Sequence, residues 1–443
     1  MWCRNLALGR DILDSKVKWV VAALVLITIM VLGGLMVHRA AFSTELNSDF
    51  MTYRAAGWAV WTGGDVYAVQ NSRGWPYVYP PPFAILMTPF GLMSPFTGSI
   101  IWFGLSVVLV ASSLQLGVAM VRELGGVGRN PFWLYVLSFL MVLPWVGQGA
   151  VEGQATIPTL WLLMVALYRW QRGRDISSGA ALACAGLLKV FPLALLLYFT
   201  WEKRWRLVMG TIAALIVAGM LLPALVYGWQ RNLAYWQEWV STIVQPSLAV
   251  EALPRQSRVN ERVLSPDNPR NQALRAVLWR LGAKNQARFL TAGSGLIMAL
   301  AMLRVARRSQ PRHGLVVAAA WLAWIVVIAP VSHFHYHMLV LLPMTLLAHL
   351  ALAKADPLLT ILARITLMVY PLASFWTLAF PRLQYIGLLC WTTVGLWAVL
   401  LFVAVRYDAH SETCDYEFPE EEDTRRNQIK KNRNLENPKL SLS

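Results

Sequence analysis

Long apolar runs alternate along this chain with short polar gaps rich in arginine. The first run, Val17 to about Val37, follows Arg4, Arg10, Lys16 and Lys18. It is long enough to cross a bilayer and longer than a signal-peptide core, so it predicts a retained helix with its N-terminus in the cytoplasm. Runs at about 97–121, 131–147, 155–168, 207–227, 287–303, 314–331, 338–353, 358–378 and 383–405 predict further spans. The C-terminus then also lies in the cytoplasm.

One stretch departs from this pattern. Ile176 to Thr200 reads as a single span, but a straight crossing would put Lys203, Arg204 and Arg206 on the side opposite Arg169, Arg172 and Arg174. Lys189 and Pro192 offer a turn, because proline breaks a helix and an embedded lysine must face protein or water. Two half-helices, 177–188 and 192–201, would then both return to the cytoplasmic side. A straight span that breaks the charge rule is the other reading.

Composition fixes the class. The 443 residues are 57% hydrophobic and 14% charged, with mean hydropathy +0.49, too apolar for a soluble globule. The net charge of +16 sits in clusters between apolar runs, where membrane orientation rather than nucleic acid accounts for it. Cys3, Cys184, Cys390 and Cys414 are scattered and show no disulfide or metal spacing. The expectation is an all-α integral membrane protein with about ten crossings and a broken pair.

The polar segments carry the candidate chemistry. Ser48 to Pro82 is the first long one, and its charges balance, which fits the outer face. Asp49 is a carboxylate beside hydrocarbon, a functional candidate by default. It is also a good helix N-cap. Tyr53 and Tyr79 belong to the aromatic flanks of the same loop. Counting crossings brings three more segments to that face: Gly147 to Gln154 with Glu152 and Gln154, the arginine-rich stretch after Trp229, and the Ser332 to His337 turn. A proton-accepting carboxylate, arginines for phosphate and an aromatic floor suit transfer of a group from a phosphorylated lipid to a hydroxyl.

Each candidate has a plain alternative. His333, His335 and His337 alternate as metal ligands do in a strand, but no second ligand cluster accompanies them. Holding phosphate or pairing with Asp49 is the better functional role, and interfacial histidines without a role are the plain one. Glu152 and Gln154 serve equally as capping groups of an exposed turn. Asn271, Gln272 and Arg275 open a predicted helix after Pro266 and Pro269, where an anion is favoured. Arg275 is either a bidentate phosphate clamp or a solvated arginine. Lys189 meets a lipid headgroup or the carbonyls of its own helix break.

SDFMTYRAAGWAVWTGGDVY with YVYPPPFAILMTPF resembles the opening signature of glycosyltransferase family 87, membrane enzymes of the GT-C fold. EGQATIPTLWLLMVALYRWQRGR, GLLKVFPLALLLYFTWEKRWR, NQALRAVLWRL and SHFHYHMLVLLPM continue the resemblance in family order over residues 48–345. It implies inverting, metal-independent transfer of mannose or a related sugar from a polyprenyl-phosphate donor, without a cofactor. The acceptor would be a glycolipid or glycan outside the plasma membrane. Asp49 matches the family's catalytic carboxylate, and the histidine before the LLP motif falls among His335 and His337. Ala155 and Thr156 stand where an Asn-containing motif is common, and Ala273 replaces the usual Ser after Asn-Gln.

The resulting expectation is a GT-C domain over 1–405, with extracytoplasmic segments at 39–95 and 229–286. The charged tail, 406–443, is too poor in apolar residues to fold alone. Partners are the lipid donor, the acceptor and membrane lipids, with no nucleic acid. The rival class is a non-enzymatic polyprenyl-phosphate carrier or transporter, since broken helices with a buried lysine occur there. No internal repeat supports it.

Overall fold

The computed structural model describes residues 2–43, 48–72, 74–125, 131–248, 264–307, 314–353 and 356–414, excepting the side chains of 2–15, 248 and 407–414. The described chain is a bundle of helices. By length and apolar composition, eight of them can cross a membrane: Lys16–Phe42, Pro95–Arg122, Phe132–Glu152, Trp205–Tyr227, Ala287–Ala306, Phe334–Ala353, Pro357–Ala379 and Leu388–Arg406. The protein is therefore a multi-pass membrane protein.

In chain order, α1 is Trp2–Val37, α2 Asp49–Thr62, α3 Pro81–Leu86, α4 Thr88–Gly91, α5 Pro95–Arg122, α6 Phe132–Glu152 and α7 Thr156–Gln171. Then come α8 Asp175–Leu188, α9 Leu195–Trp201, α10 Trp205–Ala214, α11 Leu222–Tyr227, α12 Trp229–Trp239, α13 Gln245–Leu248 and α14 Leu274–Arg280. The last are α15 Ala287–Ala306, α16 Gly314–Ile328, α17 Leu341–Ala353, α18 Pro357–Ala379, α19 Pro381–Ile386 and α20 Leu388–Cys414.

Two expected crossings are shorter than a spanning helix. α7 has 16 residues and α16 has 15, about 24 and 23 Å at 1.5 Å per residue. α16 is buried from Leu315 to Val327 and α17 from Leu341 to Ala351. Helices apolar all round belong at the centre of a bundle, and these two form the core of this one. α1 lies at the other extreme, with Trp19, Met30 and Leu35 exposed along its length.

The broken pair is present. α8 ends at Leu188, Lys189 takes an extended backbone (φ −148°, ψ 129°), and a 3-10 turn Phe191–Ala194 leads into α9. Trp170 at the end of α7 packs on Tyr198 and Phe199 of α9, and Tyr198 donates to the carbonyl of Gly314 at the start of α16. The pair thus starts and ends on one side of the bundle, with Lys189 at its apex. Close packing seats the start of α8 against α10: Gly179 of α8 abuts the Leu207 carbonyl, and Gly210 abuts that of Ile176, leaving no room for a Cβ.

Several boundaries differ from expectation, and the run expected at 383–405 is split at Gly387 (φ 76°) into α19 and α20. The helix expected to end near residue 147 continues to Glu152, because Gly153 (φ 70°), the left-handed residue that closes it, comes only there. The last helix runs on to Cys414, into the tail expected to be unfolded. The remainder of that tail, with Arg425, Lys430 and Lys431, lies outside the described residues, as do Arg255, Arg258 and Arg262.

Candidate active site

A cavity of about 160 Å³ lies where the expected segments meet. Asp49, Thr52 and Tyr53 come from α2, and Trp75 and Tyr79 from the loop that follows. Gln148, Glu152 and Gln154 come from the α6–α7 junction, and Lys189 from the helix break. Asn268 and Arg270 come from the arginine-rich segment, and His333, His335 and Tyr336 from the turn before α17.

Local structure explains these positions. Asp49 opens α2 behind the N-cap Ser48, with no capping hydrogen bond from Ser48. Its Oδ2 instead accepts from Gln154 Nε2, so the carboxylate is turned toward α7. Gly153 makes that possible, since a Cβ there would strike Phe50. Its carbonyl accepts from Trp102 Nε1 at 3.1 Å. Behind Asp49, Tyr53 and Tyr79 share a hydrogen bond at 2.6 Å within an aromatic cluster of Phe50, Phe83, Phe90 and Trp102.

The loop after α2 is clamped from outside by α12. Arg231 donates to the carbonyls of Gly63 and Gly64 at 2.9 and 2.6 Å, and Trp239 donates to that of Val78 at 3.1 Å. Arg280 plays the same part for the arginine-rich segment, donating to Pro266 at 2.9 Å and Asn268 at 3.0 Å. That bonding holds Asn268 and Arg270 at the cavity.

Electrostatics distinguish Asp49. Burial raises its carboxyl to about 7, helped by repulsion from Glu152 and opposed by Lys189, the Gln154 hydrogen bond and Arg39. A carboxylate poised there is suited to accept a proton near neutral pH. Lys189, buried at 8% exposure, extends its ammonium over the Tyr336 ring at 4.2 Å and to His335 Nε2 at 3.4 Å. Glu152 accepts from Gln148 at 3.1 Å and faces His335 Nδ1 at 3.7 Å.

Four candidates from the sequence lie elsewhere. His337 points into the core, with Nδ1 3.1 Å from the Tyr370 hydroxyl and 3.2 Å from that of Thr393. The reason is that residues 334–340 form a 3-10 turn rather than a strand. At three residues per turn, positions two apart diverge instead of sharing a face. Asn271 Oδ1 accepts from the backbone of Ala273 and Ser332, and Gln272 donates to the carbonyls of Pro269 and Gln384. Both tie the arginine-rich segment to its neighbours. α14 opens only at Leu274 and has seven residues, so Arg275 is carried away from the cavity and donates to the Ser247 carbonyl at 3.0 Å.

Reading the sequence missed Gln148, Trp75, Asn268, Arg270 and Tyr336. Gln148 was legible in principle, since it precedes Glu152 by four residues and a helical reading puts both on one face. Nothing in the spacing of the arginines separated Arg270 from Arg275.

The sequence profile of glycosyltransferase family 87 matches residues 77–330. The chain belongs to that family. As a family 87 protein it is a membrane glycosyltransferase. Two relatives are each named polyprenol-phosphate-mannose-dependent alpha-(1-2)-phosphatidylinositol mannoside mannosyltransferase. One, from Mycobacterium tuberculosis, is 26% identical over 315 residues, 66% of this chain and 67% of the relative. The other, from Mycolicibacterium smegmatis, is 26% identical over 295 residues, 63% of this chain and 61% of the relative. Among solved structures, that of ArnT from Cupriavidus metallidurans bound to undecaprenyl phosphate aligns over 88% of this chain and 77% of that one. Its TM-score is 0.39 at 14% identity, too slight a likeness to carry weight.

Proposed function

We propose that this family 87 chain transfers mannose from a polyprenyl-phosphate donor to a hydroxyl of a glycolipid or glycan, at the extracytoplasmic face of the plasma membrane. Both termini are then cytoplasmic, and neither metal nor cofactor takes part. The names of the relatives support the donor, and the charge pattern of the gaps supports the orientation. The observation that carries the reading is that Asp49, held by Gln154, and the buried Lys189 line one cavity.

In this reaction the acceptor hydroxyl enters beside Asp49. The carboxylate takes its proton as the oxygen attacks the anomeric carbon. The bond from that carbon to the phosphate oxygen breaks, and its electron pair leaves with the polyprenyl phosphate. Attack from the face opposite the leaving group inverts configuration. The phosphate goes from one negative charge to two, so cations fixed beside it bind the transition state more strongly than the ground state. Lys189 and Arg270 are placed for that role, while Tyr53, Tyr79 and Trp75 form an aromatic wall suited to a sugar ring.

Purified protein incubated with polyprenyl-phosphate mannose and an extracted glycolipid pool tests this. Mannosylated glycolipid with inverted configuration is the expected product. Movement of the donor across vesicles with no sugar transfer would identify a carrier instead.

A further inference from the structure

Lys189, His335 and Glu152 stand in a row along one wall of the cavity. An ammonium has only donors, so His335 Nε2, 3.4 Å from Lys189 Nζ, must be the accepting nitrogen. The imidazole proton then sits on Nδ1, which faces Glu152 Oε2 across 3.7 Å. The carboxylate is itself fixed, since its Oε1 accepts from Gln148 one helical turn earlier at 3.1 Å. The imidazole is fixed as well, stacked on His333 at 6.0 Å and edge-on to Tyr336 at 4.9 Å.

The order of the row matters. A carboxylate touching Lys189 would neutralise it, leaving little attraction for an anion. An imidazole between them orients the ammonium and keeps Glu152 out of direct contact with it. The Tyr336 ring at 4.2 Å and the Tyr79 ring at 5.7 Å favour the cation without accepting a hydrogen bond, and the Asp49 carboxylate across the cavity attracts it through space. Donor hydrogens of the ammonium are left for a ligand in the cavity.

We infer that Glu152 is a positioning residue: by fixing the His335 tautomer it holds the Lys189 ammonium at the cavity wall, as the seat of the donor's phosphate. This rests on the donor assignment made above. It assigns Glu152 and His335 to the leaving group rather than to the acceptor.

Binding of a polyprenyl monophosphate without sugar tests the row apart from turnover. Lys189→Met is expected to weaken binding by about 30-fold, the size of one charge-assisted hydrogen bond. Glu152→Gln is expected to weaken it by about tenfold, and to add less than about twofold when Lys189 is already Met, because residues acting as a unit are not additive. His335→Gln keeps an acceptor for Lys189 while removing Nδ1, and in that background Glu152→Gln should again change little. Unchanged binding in Glu152→Gln, or losses that multiply in either double variant, would overturn the relay and leave the donor assignment standing. Failure of the wild type to bind would remove both. Nitrogen-15 histidine spectra of the wild type give a check that needs no variant: His335 should be protonated at Nδ1 and bare at Nε2, and the opposite tautomer overturns the proposal.

Discussion

Gln154 donates through Nε2 to Oδ2 of Asp49, 105 residues earlier in the chain. That bond joins the first residue of α2 to the turn before α7. It leaves Oδ1 for a ligand and lowers the carboxyl against the opposing effect of burial. In Gln154→Leu the carboxylate loses both its orientation and this support. We expect kcat/KM at pH 7 to fall about tenfold, corresponding to ~1.4 kcal/mol of transition-state stabilisation. The acidic limb of the pH profile, which Asp49 sets, should also move to higher pH, and a limb displaced to lower pH would contradict the arrangement.

The position of Asp49 near 7 predicts a rate that rises as pH increases to about 7 and then levels, because only the ionised carboxylate accepts a proton. Glu152→Gln removes the neighbouring charge that helps raise Asp49, so the limb should move to lower pH even as the plateau drops. The shift has a consequence for stability. The folded pKa lies above the ordinary value of 3.8, so the folded state binds the extra proton, and stability falls as pH rises from about 4 to about 7. Asp49→Asn should therefore abolish transfer while melting above wild type at pH 8. A melting temperature equal to or below wild type would show that the charged form is not disfavoured by the fold.

His335 lines the cavity, whereas His337 is bonded within the core. His337→Ala removes the partner of Tyr370 and Thr393 in the core and should cost about 1–3 kcal/mol of stability. Its turnover per folded molecule, KM and pH profile should stay near wild type. His337→Asn, which restores a polar atom near Nδ1, should recover part of the melting temperature. His335→Ala should do the opposite, leaving the fold near wild type and reducing kcat/KM for the donor. Equal kinetic losses in both alanine variants would refute the distinction.

The sequence made the framework legible because membrane helices announce themselves by length and apolarity. The half-helix pair was legible through Lys189 and Pro192, whose cost inside hydrocarbon demands a special backbone. Asp49 and Lys189 stood out for the same reason, and both line the cavity. The histidines were harder, since alternation along the chain reads as one face only in a strand, and the structure uses a 3-10 turn. Asn271 and Gln272 illustrate a different limit: a polar side chain near phosphate and one that satisfies a neighbouring backbone look alike until the partner segment, here Ser332 and Gln384, is in place.

Gly57 tests how strictly α2 is seated. Its Cα lies against the Met87 carbonyl, and Gly91 opposite lies against the Trp58 backbone, with no space for a Cβ at either. Gly57→Ala should cost about 1–3 kcal/mol through overpacking. Because Asp49 and Tyr53 ride on the same helix, kcat should fall more than donor affinity does. A variant of unchanged stability and rate would mean that α2 can shift without consequence for the site.

Arg270 and Arg275 are five positions apart and lie in different surroundings. Arg270 lines the cavity and is exposed, whereas Arg275 is half-buried and spends a donor on the Ser247 carbonyl. A cation beside the leaving phosphate strengthens its hold as charge develops, so Arg270→Met should lower kcat/KM by about 10- to 100-fold, with most of the loss in kcat. Arg275→Met should lower the melting temperature and change kcat/KM by less than about threefold. Salt offers a second reading of the same contrast. Added electrolyte screens exposed charges more than enclosed ones, and Arg270 is the exposed one of the two, so the kinetic gap between the two variants should narrow as ionic strength rises. A gap that salt leaves unchanged would contradict a screened, through-space role for Arg270.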